Sequence, residues 1–406
     1  MQNTLSSFNK TACQTPDGKI RGIIGAVIGD IAGSRLEFHD GFARYNFKMF
    51  CSGTKFTDDS IMTVAIADAL MHGKDFQSSM LEWGHRYPNG GWGRNFRKWL
   101  KSKSPEPYNS QGNGSGMRVS AVGFAAETLD EALALAKETA LPTHGSKDGI
   151  AGAQAIAAAI FLARQNKPKD EIKKYIEDKF SYYLDGKTEE IQDMVRQLLD
   201  WQKSQALITT PLAITAFLNG NDYEDVIRTA ATYGCDTDTV ACMAGGIAAA
   251  YYGVPLDLAK QAADYISDDL LAIINKFDGT SLESRHITPR DIHEWSRECV
   301  IVYGRSVNEG EKGEKGSFEV HSVRLNHFPR EGYPVRTIGA DIRETAEDVN
   351  ALIAYVNEHP EKVFLVMPVG IDRAGIPVEM IAPLFEPLRG KSYVYLPAEY
   401  IEYYDR

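Results

Sequence analysis

The sequence predicts an all-α domain followed by a small α/β domain. Three observations lead there. From about Ile20 to Lys276 one Ala/Leu/Ile-rich, broadly amphipathic segment follows another, joined by connectors that hold Gly, Pro, Asn and Asp. After about Ser284 the apolar runs shorten and take on strand character. Strand and helix patterns then alternate to the end, as in an α/β arrangement. A chain of 406 residues is long enough to bury two such cores. The reading divides it into an N-terminal extension at 1–19, a helical domain at 20–284 and an α/β domain of unassigned role at 285–406.

The helical elements follow from composition and period. "TVAIADAL", "EALALAKETA", "GAQAIAAAIFLAR", "IQDMVRQLLDW" and "TTPLAITAFL" each read as a helix, several so rich in alanine that they are expected to be buried on most sides. In the second domain "ECVIVYGRSV" and "SFEVHSVRL" read as strands flanking the solvated turn "NEGEKGEKG". "ETAEDVNALIAYVNEH" reads as a helix with an acidic first turn, "KVFLVMPVG" as a buried strand, "PVEMIAPLFEPL" as a helix and "KSYVYLP" as a last strand.

Composition narrows the function. Hydrophobic residues at 43% and charged residues at 24% are ordinary for a soluble globular protein. A net charge of -11 disfavours charge-driven binding to nucleic acid or anionic membrane. The N-terminal "MQNTLSSFNKTACQ" has no signal-peptide apolar core, and no apolar run is long enough to span a bilayer. Five cysteines without metal-type spacing fit a reducing compartment, so the expected location is cytoplasmic. Cys235 and Cys242 are expected as buried thiols among small residues.

Two stretches share one grammar. "KFTDDSIMTVAIADAL" and "YGCDTDTVACMAGG" each place Thr and Asp in a turn directly before an apolar helix. The groups are Thr57, Asp58, Asp59 and Ser60, then Asp236, Thr237, Asp238 and Thr239. For either motif alone, capping of the helix start is the simpler reading, since all these side chains accept hydrogen bonds from free N–H groups. Capping needs one good acceptor, however, and each motif supplies several oxygens. A divalent cation would account for the excess, because Mg²⁺ takes hard oxygen ligands and carboxylates outweigh the partial positive charge of a helix start. Ala241, Ala244, Gly245, Gly246, Ala248 and Ala249 would let a neighbouring helix come close, so that the two helix starts could meet.

Five motifs in order, "GAVIGDIAGSRLEF", "FTDDSIMTVAIADAL", "GNGSGMR", "THG" and "GCDTDTVACMAGGIAAAYYG", resemble those of the ADP-ribosylglycohydrolases. That family includes dinitrogenase reductase-activating glycohydrolase and ADP-ribosyl-protein hydrolases. The resemblance runs from about Ile20 to Pro255, over half the chain. It implies the family's helical fold and makes Thr57, Asp58, Asp59, Asp236, Asp238 and Thr239 ligands of two Mg²⁺ ions, with Mn²⁺ as the alternative. Ser60 stands where many relatives have threonine. The activity implied is removal of ADP-ribose from an ADP-ribosylated protein, at an arginine or serine linkage, with ADP-ribose as product. Alternatives left open are a free ADP-ribose conjugate, an ADP-ribosylated nucleotide, or a non-catalytic ADP-ribose-binding module.

The same resemblance gives roles to residues that are bland by themselves. Glu37, otherwise a surface glutamate, becomes the acid linked to catalysis. Asp30 before it reads equally as a structural acid. The loop Gly112, Asn113, Gly114, Ser115, Gly116 and Met117, otherwise a turn, becomes the site for the diphosphate and distal ribose of ADP-ribose. His144, otherwise a capping or packing residue, becomes a contact to that ligand. The Tyr-Pro-Asn run at Tyr87 also suits the family, with Trp92 expected to line the cleft and Trp99 to lie in the core. In the second domain, Gly370, Asp372, Arg373 and Gly375 sit between a strand and a helix. Such a place can bind phosphate or simply turn the chain.

Overall fold

A computed structural model describes residues 17–37, 42–51, 54–288, 299–306, 321–325, 328–371 and 374–406. The chain divides into two units, Met1–Glu283 and Ser284–Arg406. Among the described residues of the first unit, fifteen α-helices run between Ile24 and Asp278, and strand pairing is confined to isolated bridges. No described helix is long and apolar enough to cross a membrane.

Its centre is the helix Thr237–Tyr252, buried from Thr237 to Ala250. The helix Ile24–Ser34 lies antiparallel against it through glycines four residues apart. A Cβ at Gly25 would stand 2.3 Å from Ala249 Cβ, one at Gly29 2.1 Å from the Ala241 carbonyl oxygen, and one at Gly33 2.5 Å from the Thr237 carbonyl oxygen. Only glycine permits this approach. The small residues of the central helix therefore chiefly accommodate Ile24–Ser34, whereas the sequence had suggested the other acid-bearing helix. Antiparallel packing brings the end of one helix to the start of the other, and so carries Glu37 toward Asp236.

Ile24–Ser34 has no cap from its own sequence, because its N-cap is Ile23. Asp278 supplies one from the far end of the unit. Its carboxylate accepts from Ile23 N–H at 2.8 Å and from Ile24 N–H at 2.9 Å. A Cβ at Gly22 would lie 2.1 Å from Asp278 Cγ, so glycine keeps that space open.

The predicted helices appear within Asp58–His72, Leu129–Ala140, Lys147–Arg164 and Ala206–Asn219. "IQDMVRQLLDW" departs from expectation: its helix is Thr188–Arg196, followed by a 3₁₀ turn at Asp200–Gln202. The chain leaves the helix and its continuation bonds elsewhere. Ser204 accepts from Asn113 N–H at 3.0 Å, and Ala206 N–H donates to the Gln111 carbonyl at 2.9 Å.

The second unit holds a five-stranded sheet: β1 Val300–Ser306, β2 His321–Leu325, β3 Phe328–Ile338, β4 Phe364–Val366 and β5 Val394–Tyr395. Their order is β2-β3-β1-β4-β5, with β2 antiparallel to β3 and the remaining pairs parallel. Helices Ile342–Glu358, Val378–Phe385 and Ala398–Tyr404 complete the unit. Arg336 ties β3 to the first of them, donating from Nη2 at 2.7 Å and from Nε at 2.9 Å to the buried Asp348 carboxylate. The turn after β4 closes on itself, with Ile376 N–H donating to the Gly370 carbonyl at 2.8 Å, and both Gly370 and Gly375 have positive φ. Asp372, Arg373 and the "NEGEKGEKG" turn lie outside the described residues.

Candidate active site

The two acidic motifs fold differently at their helix starts. Thr57 caps Asp58–His72, its hydroxyl oxygen accepting from Asp59 N–H at 3.3 Å. Asp236 occupies the same place before Thr237–Tyr252 and makes no capping bond. Capping thus explains part of the first motif and fails for the second. Asp30, on Ile24–Ser34, organises the first motif. Its carboxylate accepts from Thr57 N–H at 2.8 Å, Thr57 Oγ1 at 2.7 Å and Ser60 N–H at 3.0 Å, and also from Ser60 Oγ. Having given its proton to Asp30, Thr57 Oγ1 presents only lone pairs to its other neighbours.

The acids then converge. Glu37, Asp236 and Asp238 each place a carboxylate oxygen within 4.8 Å of the others. Asp58 and Asp59 share the same field. Burial pushes Asp58 well above the usual carboxylate range, and Asp30 and Asp236 add to it. Burial acts likewise on Asp59, with Asp30, Asp58 and Asp236 reinforcing it and a hydrogen bond from the Thr239 side chain opposing. Asp238 is raised by burial, then by Asp236, Asp59 and Glu37. Glu37 is pushed up to about 8 by burial, then by Asp236, Asp58 and Asp30, against Lys55. Asp30 is raised by its complete burial, in spite of the hydrogen bonds from Ser60 and Thr57.

Such a group of carboxylates resists ionisation unless positive charge compensates it. Asp59 Oδ2 is buried and has no hydrogen-bond partner among the described residues, a cost that a ligand would remove. An all-oxygen donor set with an orphaned carboxylate oxygen suits a hard divalent cation.

The Gly-rich segment adjoins this cluster. Asn113 donates from Nδ2 to Asp236 Oδ2 at 3.0 Å, joining the two parts of the site. Gly116 N–H and Met117 N–H both bond to the Asn113 carbonyl, while Gly114 N–H and Ser115 N–H have no partner among the described residues. Two adjacent free N–H groups suit an anionic oxygen. The Ser115 hydroxyl turns inward, donating to the Gly149 carbonyl at 2.7 Å. Met117 joins the core, its carbonyl accepting from Thr63 Oγ1 at 3.2 Å. Gly112 and Gly114 lie against the His144 ring. His144 is 7% exposed and does not cap the following helix; Ser146 does. Burial, then the nearby Arg118 charge, hold its imidazole well below the ordinary histidine value.

One expectation is corrected. Trp92 is a core residue, 2% exposed, with Nε1 donating to the Tyr87 carbonyl at 2.8 Å. Its loop reaches the site through Gly91 instead: at φ +87°, a Cβ there would stand 3.4 Å from Asp58 Oδ1. Asp278 and Arg118 were not singled out from sequence, since their partners are remote along the chain.

Residues 13–285 match the ADP-ribosylglycohydrolase family model, and the chain belongs to that family. It is therefore a glycohydrolase. ADP-ribosylhydrolase ARH3 of Homo sapiens is 26% identical over 341 residues, covering 63% of this chain and 92% of that protein. ADP-ribosylarginine hydrolase Tri1 of Pseudomonas putida strain GB-1 is 24% identical over 266 residues, covering 57% of this chain and 70% of that protein. A solved structure of an ADP-ribosylglycohydrolase-related protein complex overlays with a TM-score of 0.49 at 21% identity, covering 64% of this chain and 96% of that one.

Proposed function

We propose that the protein is a Mg²⁺-dependent hydrolase that releases ADP-ribose from ADP-ribosylated protein side chains, cutting at the anomeric carbon of the distal ribose. The observation that carries this reading is the joining of Glu37, Asp236 and Asp238 to the Gly112–Met117 segment through the Asn113–Asp236 bond.

Thr57, Asp58, Asp59, Asp236, Asp238 and Thr239 would hold a pair of such cations. Bound there, Mg²⁺ supplies Lewis acidity and orientation for ribose hydroxyls and for water. Burial, the first cause of the rise of Glu37 to about 8 in the metal-free protein, favours its protonated form, and a cation held by Asp58 and Asp236 would offset the part their charges add. A carboxylic acid so poised can protonate a departing nitrogen or oxygen as the anomeric carbon becomes oxocarbenium-like. The free N–H groups of Gly114 and Ser115 and the adjacent His144 would hold the diphosphate end, leaving the distal ribose toward the acids. The leaving group lies beyond these contacts, so the linkage is a matter for substrate assay.

Purified protein with Mg²⁺ is expected to release ADP-ribose from arginine- or serine-linked protein substrates, and EDTA to stop it. Asp58→Ala combined with Asp236→Ala is expected to abolish release. Full turnover by that double variant would remove the metal assignment. Release confined to free or nucleotide-linked conjugates would remove the protein substrate.

A further inference from the structure

Behind the Gly112–Met117 segment lies a buried cation that makes no ion pair among the described residues. Arg118 is 1% exposed, and its Nε has no hydrogen-bond partner among the described residues. Its Nη2 donates to the Thr139 carbonyl at 2.6 Å and to the Thr143 hydroxyl at 2.9 Å. The Thr143 oxygen, fully buried, also stands 2.8 Å from His144 Nδ1.

This chain of contacts decides where the imidazole proton sits. Thr143 has one hydroxyl proton and two side-chain polar neighbours among the described residues. A guanidinium only donates, so of these neighbours Nδ1 alone can receive the Thr143 proton. A proton on Nδ1 would leave the buried hydroxyl with two donors and no acceptor, an arrangement that buried groups avoid. The ring proton therefore belongs on Nε2. That atom faces the ligand segment: a Cβ would stand 2.9 Å from it at Gly114 and 3.7 Å from it at Gly112.

We propose that Arg118 and Thr143 are positioning residues that lock His144 with its proton on Nε2, presenting a neutral donor to an anionic oxygen of the ligand. The inference rests on reading the Gly112–Met117 segment as the diphosphate site. The opposite tautomer would aim a lone pair at a phosphate oxygen and repel it. A neutral ring accords with the burial of His144 beside the Arg118 charge. Tyr108, whose ring centroid is 6.4 Å from that of His144, is itself held neutral, its phenol pushed up to about 12 by burial. The ligand would thus meet a fixed dipole, with a permanent charge behind it.

Long-range ¹H–¹⁵N NMR of histidine-labelled protein reads the tautomer directly, with His144→Gln identifying the resonance. The Nε2–H form is expected in the parent and in Thr143→Ser, and in Thr143→Val the unprotonated Nδ1 resonance is expected to move downfield as its hydrogen-bond donor is lost. Calorimetric titration with ADP-ribose should show equal affinity for the parent and Thr143→Ser, and about tenfold weaker binding for Thr143→Val. In turnover the loss should fall on KM, with kcat within about twofold, as for a contact made equally in ground and transition states. An Nδ1–H tautomer in the parent, or a parental Nδ1 resonance and affinity in Thr143→Val, overturns the inference. If ADP-ribose fails to bind the parent, the diphosphate reading falls, while the spectrum still decides the tautomer lock.

Discussion

Gly29→Ala tests how Glu37 reaches the acids. The added Cβ would stand 2.1 Å from the Ala241 carbonyl oxygen, 2.4 Å from its carbon and 2.8 Å from Cys242 N. Ordinary contact begins near 3.4 Å, so the two helices must part by about 1.3 Å. All three obstructing atoms are backbone, and no side chain can rotate away. Overpacking of a core costs ~1–3 kcal/mol, and rigid atoms on both sides favour the upper end. That corresponds to a fall in Tm of roughly 5–10 °C. The separation also moves Glu37, which follows shortly after the end of the same helix. A displacement of about 1 Å at a reacting group costs on the order of 100-fold in rate. Thermal unfolding and ADP-ribose release, measured together, give both quantities. Gly93→Ala is the control, since a Cβ there meets nothing within 4 Å and its φ is -57°. Parental Tm and turnover in Gly29→Ala would refute the close-approach account of the site.

Two further outcomes are expected. Asp278 is raised from 3.8 to about 7 by burial, against the N–H groups of Ile24 and Ile23. Its pH-dependent contribution to stability is therefore full below about pH 3.8 and is lost as pH rises through about 7, an amount of roughly 4 kcal/mol. Denaturant midpoints measured across this range should fall less steeply for Asp278→Asn than for the parent, and identical slopes would count against the buried cap. Asp30→Ala should cost roughly 2–4 kcal/mol, because the Thr57 and Ser60 donors lose their shared acceptor. It should also weaken Mg²⁺ binding at least tenfold by calorimetry; unchanged affinity would show that Asp30 does not align Thr57, Asp58 and Asp59.

What the sequence disclosed was whatever is encoded locally. The Ala/Leu-rich helices are legible because their apolar period lies within one segment. The acidic motifs are legible because each is compressed into four residues. β3 was not read as a strand, since Pro329, Gly332 and Pro334 interrupt its apolar pattern. The pairing shows how it tolerates them: Pro329 lies where β3 pairs only with β2, and Pro334 where it pairs only with β1. Asp278 was invisible as a cap because its partner Ile23 is 255 residues away. The 25/29/33 glycine spacing was present in the sequence, but only the partner helix shows which surface needed it. Trp92 was misplaced because an aromatic ring in a polar loop suits a cleft as well as a core. Its burial is decided by packing in that loop, where a Cβ at Gly90 would stand 2.7 Å from Trp92 Cζ2 and 2.8 Å from Ile61 Cδ1.

The segment before Gly114 is held on both edges, by Thr143 and Gly145 on one side and by Ser204 and Ala206 on the other. It is thus a standing receptacle that spends little ordering entropy when filled. On the proposed reading, what fills it is common to the reactant and to the released ADP-ribose, so both are held alike. Free ADP-ribose should then act as a competitive inhibitor. The working rate of the enzyme in a cell would be governed by whichever reaction next consumes its product.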